Sequence, residues 1–170
     1  DKLSTKITAK ARKREREAFG RRQKAWASYA EACKLASEAY DAMELAWEVR
    51  FDTREKMNAA YEAMGIPDSS KQKPHYKDYT PEFLAARKDF LQAKSAHEAA
   101  QMEYTLRKVR RNHLKAIYDV ARAEHDQFRH ELMKVLSDSP KFDDDTIIRE
   151  VDMAQVQTKP FYLANLFGKN

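Results

Sequence analysis

Apolar residues recur every seven positions along two long stretches of the chain, and each stretch carries two such series three residues apart. In the first stretch the series contain Phe19, Trp26, Cys33, Tyr40, Trp47 and Tyr61, and then Tyr29, Ala36, Met43, Met57 and Met64. In the second stretch they contain Phe83, Phe90, His97, Tyr104, Tyr118, His125 and Leu132, and then Ala86, Ala93, Ala100, Leu114, Ala121, Phe128 and Val135. This spacing predicts the a and d positions of a coiled coil.

Helix-breaking residues are rare in both stretches and frequent between them. Gly20 is the only glycine or proline from Ser4 to Met64, and none follows Pro81 until after Asp138. Gly65 is typical of a helix end, whereas Thr80 before Pro81 is typical of a helix start. We therefore predict an all-α fold, a long antiparallel helical hairpin about 80–90 Å long by helical rise, with a short C-terminal docking segment.

The sequence divides into three parts on this basis. The a and d positions together form the seam between the two helices. Residues 1–17 lack large apolar residues at these positions, so we predict that they form a basic arm, either an exposed helical extension or a disordered segment. Residues 18–139 form the hairpin, whose tip loop is 65–80. Residues 140–170 form a C-terminal segment with a short apolar helix.

Pairing positions whose numbers sum to about 147 gives the best match between the two helices. This register places Trp47 against Ala100 and Trp26 against Ala121, so that large residues face small ones. It also stacks Tyr29 on Tyr118 and predicts a cation–π contact of Tyr40 with Arg107.

A second apolar stripe lies outside the seam and predicts contacts beyond the two helices. It contains Ala32, Leu35, Ala39, Ala42, Ala46 and Val49 on the first helix, and Ala99, Met102, Leu106, Val109, Ala116, Val120 and Ala123 on the second. A helix that is apolar on two faces normally touches two neighbours. Either the C-terminal segment folds back over the stripe, or another chain or a second copy packs there.

Three regions are therefore candidate partner-binding surfaces: the stripe, the tip loop and the apolar C-terminal run. Their predicted contact residues are Leu35, Ala39, Leu106, Val109, His75, Tyr76, Tyr79, Phe161, Leu163, Leu166 and Phe167.

Charge is unevenly distributed over the 170 residues, whose net charge is +5. Residues 1–24 carry ten Lys/Arg against three acids, while residues 25–64 carry four against eight. Basic clusters of this kind can follow the phosphates of a nucleic acid or an anionic lipid surface. The candidate polyanion-binding residues are Lys10, Arg12, Lys13, Arg14, Arg16, Arg107, Arg110 and Arg111.

Composition narrows the class of protein further. The mean hydropathy is −0.85, and no apolar run is long enough to predict a membrane span. The single cysteine, Cys33, excludes an intramolecular disulfide and fits a reducing compartment, so we expect an intracellular location in the cytoplasm or an organelle matrix.

No catalytic, cofactor or metal motif is recognisable in the sequence. The five histidines form neither a zinc helix nor a di-iron pattern, and three isolated glycines cannot build a phosphate loop. His97 and His125 fall on seam positions, which favours imidazoles bonded to a partner residue over metal ligands. We therefore expect a protein that is not an enzyme and needs no cofactor.

Three functions remain compatible with these features. The first is a helical-hairpin scaffold or subunit that mediates protein–protein contacts in a larger assembly, either with a partner protein or by self-association. The second is a nucleic-acid-associated protein that uses the basic arm. The third is a receptor-binding rod that acts through its tip loop: in architecture alone, the predicted hairpin resembles the receptor-binding rods of colicins and the helical stalk or clamp subunits of large assemblies.

Overall fold

Two long helices make up the described part of the chain. The computed structural model describes residues 2–65 and 78–138. Helix α1 spans Lys2–Ala63 and helix α2 spans Pro81–Ser137. The two helices pack against each other as a helical hairpin, and the described residues contain no strand. The predicted all-α hairpin is confirmed.

Helix α1 ends just before Gly65, as the sequence predicted. Gly65 has a φ of 66°, in the left-handed region that costs little only without a Cβ. The Gly65 N–H donates to the Glu62 carbonyl at 3.0 Å, and the Met64 N–H donates to the Tyr61 carbonyl at 3.1 Å. These bonds satisfy carbonyls of the last turn that lack helical partners.

Helix α2 begins at a capped first turn. The Phe83 N–H donates to the Thr80 side-chain oxygen at 3.2 Å, and the Leu84 N–H donates to the Thr80 carbonyl at 3.0 Å. Pro81 occupies the first helical position, where a missing N–H costs nothing, and Glu82 lies in the first turn. The predicted start of this helix is confirmed.

The chain divides into two compact units, each built from a part of both helices. The terminal unit contains the residues up to Lys34 and those from Val109 onward. The loop-side unit is Leu35–Lys108.

In the terminal unit, aromatic residues form the centre of the packing. Tyr29 and Tyr118 stack with ring centroids 6.2 Å apart, and Trp26 meets the edge of Tyr118 at 5.1 Å. Both tyrosines are buried together with Cys33, and Leu114 packs against them. The predicted pairing of Tyr29 with Tyr118 and the assignment of Cys33 to the core are confirmed.

Each unit also contains one arginine–histidine pair on the seam. In the terminal unit, Arg22 Nη1 lies 3.1 Å from His125 Nδ1. In the loop-side unit, Arg50 Nη1 lies 3.0 Å from His97 Nδ1. Both imidazoles are buried, and both pairs have position numbers that sum to 147, which is the predicted register. The expectation that these histidines bond to partner residues is confirmed.

The seam of the terminal unit extends further toward the N-terminus than the heptads predicted. Ala11 packs against the buried pair Leu132 and Leu136, and His125 Nε2 lies 2.8 Å from Glu15 Oε1. The expectation that the seam starts only at Phe19 is therefore wrong. A small apolar residue and a carboxylate that reaches a buried imidazole make this contact, and neither belongs to a heptad of large apolar residues.

Two predicted seam contacts in the loop-side unit are also wrong. Trp47 remains 53% exposed and stacks on Phe51, with ring centroids 5.5 Å apart, so it is not buried against Ala100. Tyr40 meets the edge of Tyr104 at 5.4 Å, whereas Arg107 Nε pairs with Glu103 at 2.7 Å. Phe51, one turn away on α1, replaces Ala100 as the neighbour of Trp47. Tyr104 replaces Arg107 as the neighbour of Tyr40, and Glu103, one turn away on α2, pairs with Arg107.

Candidate interaction surfaces

The half of the second apolar stripe that belongs to α2 is exposed throughout. In the loop-side unit it contains Ala99, Met102 and Leu106, and in the terminal unit Val109, Ala116, Val120 and Ala123. Met102 is 68% exposed and Leu106 64% exposed, although each carries a large apolar side chain. These two residues are one helical turn apart and therefore share a face. Apolar area of this kind is typical of a contact surface when it is contiguous.

The half of the stripe that belongs to α1 is partly turned inward. Ala32 is buried, while Leu35, Ala39 and Ala46 are half-buried and only Ala42 and Val49 are exposed. Among the predicted partner-binding residues of this region, Leu106 and Val109 thus offer much more free surface than Leu35 and Ala39. The heptad pattern places a residue on a face but does not say how far the neighbouring helix covers it.

The tip loop and the C-terminal run lie mostly outside the described residues. This applies to His75 and Tyr76 of the loop and to Phe161, Leu163, Leu166 and Phe167 of the tail. Tyr79 is described: it is half-buried, and its ring lies 4.9 Å from that of Phe83, which also contacts Tyr61 at 5.6 Å. Tyr79 therefore contributes to the packing around the first turn of α2.

The candidate polyanion-binding residues fall into two groups. Lys10, Lys13, Arg14, Arg16 and Arg110 are exposed, whereas Arg12, Arg107 and Arg111 are half-buried. Lys13 lies 3.9 Å from Glu17, and Arg107 is paired with Glu103, so part of the positive charge is balanced locally. The free positive charge is concentrated on the first turns of α1, within the terminal unit.

Sequence reasoning missed a further surface, which lies on α1 in the loop-side unit. We call it the aromatic–acidic stripe, and it contains Tyr40, Glu44, Trp47, Glu48 and Phe51. All five residues are exposed. It was missed because Trp47 and Tyr40 occupy heptad positions and were assigned to the seam. The available signal was Glu44, one turn after Tyr40, together with Glu48, directly after Trp47.

Two tyrosines have a raised pKa. Burial, followed by a hydrogen bond with the Cys33 thiol, raises the pKa of Tyr29 to about 12. On the aromatic–acidic stripe, a hydrogen bond with the Glu44 carboxylate raises the pKa of Tyr40. Both effects favour the neutral phenol, and neither creates a reactive group at neutral pH.

The described residues contain no group of three His, Cys, Asp or Glu side chains that could hold a metal ion. Over the same ranges, no helix has the length and apolar character needed to cross a membrane. Comparison of the chain with protein-family models, curated proteins and solved structures gave no match.

Proposed function

We propose that the chain is a non-enzymatic subunit that mediates protein–protein contacts in a larger assembly, as a helical-hairpin scaffold located inside the cell. The observation that carries this proposal is the exposure of Met102 and Leu106 on one face of α2. These side chains leave about two thirds of their surface in water, so they contribute little to the packing of α1 on α2. Contact with a partner protein would bury them and gain about 25 cal/mol per Å² of apolar area.

A pair of matched variants tests the proposal. Leu106→Glu should abolish co-purification of a stoichiometric protein from the native source, whereas Leu45→Glu should not. Leu45 is 63% exposed in the same unit, so the two changes introduce the same charge at similar exposure. Both variants should melt within a few degrees of the parent, because neither side chain is buried. Equal capture by the two variants would contradict the proposal.

Polyanion binding through the first turns of α1 is a second candidate function, supported by the exposed side chains of Lys10, Lys13, Arg14 and Arg16. Binding led by phosphates releases counterions, so the affinity for a nucleic acid would fall steeply with salt. Titration of a duplex oligonucleotide at 50 and 200 mM salt distinguishes the two functions. Apolar contacts of α2 would keep their affinity over this range.

A further inference from the structure

Three exposed aromatic rings follow one face of α1 in the loop-side unit. Tyr40 is 41% exposed, Trp47 53% and Phe51 46%. Their spacing of seven and four residues keeps them on one side of the helix, over about 17 Å of axial rise. Trp47 and Phe51 are stacked with an interplanar angle of 21°, so the pair presents a broad apolar surface.

Carboxylates are interleaved with these rings. Glu44 and Glu48 are one turn apart on the aromatic–acidic stripe, and Glu55 lies one turn beyond Phe51. None of the three has an ion pair with a lysine or arginine of the described residues. The nearby Arg50 is engaged with His97. The stripe therefore combines π faces with unneutralised negative charge.

A groove beside the stripe gives a side chain room to enter. It has a volume of about 460 Å³ and is lined by Tyr40, Met43, Glu44, Trp47 and Glu48 of α1, with His97 of α2 at the other side. An extended cationic side chain can place its methylene groups on the apolar lining while its charged end reaches Glu44 or Glu48. All of these residues belong to the loop-side unit.

We propose that the aromatic–acidic stripe binds a lysine- and arginine-rich segment of a partner protein. A guanidinium stacked on Trp47 or Phe51 gains a cation–π interaction and can donate to a neighbouring carboxylate at the same time. Basic residues spaced by one helical turn match the spacing of Glu44 and Glu48. The inference rests on the proposed function and adds the chemical class of the partner.

Charge argues against phosphate-bearing ligands, a purely apolar helix and the chain's own C-terminal segment as occupants. Phosphate groups of a nucleic acid or lipid would face the carboxylates of Glu44 and Glu48. A purely apolar helix would remove these carboxylates from water without a partner, which is costly. The chain's own C-terminal segment does not match either, since residues 140–170 carry five acids against four bases and the four bases are widely spaced.

Binding of a probe peptide tests the inference directly. The probe is a fluorescein-labelled, alanine-based helical peptide with arginine at every fourth position, and its anisotropy is followed during titration with the full chain at 50 mM salt. We expect saturable binding that weakens at least tenfold in the Glu44→Gln/Glu48→Gln variant. The control variant Glu38→Gln/Asp89→Asn loses the same charge from exposed positions of the same unit off the aromatic–acidic stripe, and it should bind like the parent.

Tryptophan fluorescence tests whether the aromatic rings of the aromatic–acidic stripe contact the probe. Trp26→Phe leaves Trp47 as the only tryptophan. The probe should then change the Trp47 emission, while the same peptide with glutamate in place of arginine, and spermine at equal charge, should not. Trp47→Ala should weaken probe binding with little change in melting temperature, because the ring is largely exposed.

Several outcomes would overturn the inference. One is equal probe affinity of the stripe variant and its charge-matched control. Another is a spermine response equal to that of the peptide, which would indicate charge alone. A third is concentration-dependent dimerisation on light scattering that Glu44→Gln/Glu48→Gln abolishes, since a second copy would then occupy the stripe. If the probe fails while Leu106→Glu still abolishes capture of a native partner, this inference fails and the proposed function stands.

Discussion

The stability of the protein at alkaline pH tests whether Tyr29 is buried in the core. Its pKa is raised to about 12, chiefly by burial, whereas a tyrosine of the unfolded chain titrates near its ordinary value of about 10. The resulting contribution to the free energy of unfolding is fully present below pH 10 and is lost as the pH rises to 12. We expect urea unfolding to show a loss of about 1–3 kcal/mol over this window. Tyr29→Phe should lose less, and equal losses in the two proteins would show that Tyr29 is not the source.

Gly20 offers a stabilising change. It lies inside α1, and a Cβ added there would meet no heavy atom within 4 Å. Gly20→Ala should therefore raise the free energy of unfolding by about 0.5–1 kcal/mol, because alanine loses less backbone entropy in a helix. Ala27→Gly, at an exposed position of the same helix, should lower it by a similar amount. An unchanged or lower stability of Gly20→Ala in urea unfolding would mean that this glycine serves another purpose.

At the same scale, Trp47 shows that residue type and heptad position together do not determine whether a side chain is buried. A tryptophan at a heptad position predicts burial, and at Trp26 the ring does pack on Tyr118. At Trp47 the ring turns to Phe51 instead and leaves much of its surface in water. The heptad position fixes the direction of a Cα–Cβ bond, but the rotamer that follows depends on neighbours that the pattern does not weigh.

At the scale of the helices, the pattern predicted the ends and the register well. Gly65 and Thr80 act through local hydrogen bonds, which depend only on nearby sequence. The register was predicted from the matches of Trp47 with Ala100 and of Trp26 with Ala121. It is confirmed by the stacking of Tyr29 on Tyr118 and by the two arginine–histidine pairs, although Trp47 itself is not buried against Ala100. The first turns of α1 could not be predicted in this way, since Ala11 and Glu15 pack without a heptad of large residues.

The Arg22–His125 pair predicts a specific energetic coupling between the helices. Arginine can only donate, so Nδ1 of His125 accepts its N–H, and Nε2 is left to donate to Glu15. Arg22→Met leaves a buried acceptor unpaired and should cost about 1–3 kcal/mol in urea unfolding. His125→Leu added to Arg22→Met should cost less than the two separate changes together.

The neighbouring Arg21 is the matched control for this prediction. Its ion pair with Glu124 is about half-exposed, far more than the Arg22 side chain, so Arg21→Met should cost only about 0–1 kcal/mol. Equal losses for Arg21→Met and Arg22→Met, or strict additivity in the double variant, would contradict a role of Arg22 in specifying the register.

For the molecule as a whole, the segment 1–17 has two separable properties, packing and charge. Deleting it removes Ala11 from Leu132 and Leu136 and leaves His125 without Glu15. We expect circular dichroism melts and urea unfolding to show a loss of about 2–4 kcal/mol, from newly exposed leucine area and from the Nε2–H of His125, which loses its acceptor. Replacing Lys10, Lys13, Arg14 and Arg16 by glutamine instead keeps the packing, so it should change stability by less than about 0.5 kcal/mol while weakening binding to polyanions. A deleted chain as stable as the parent would mean that these contacts contribute nothing to the fold.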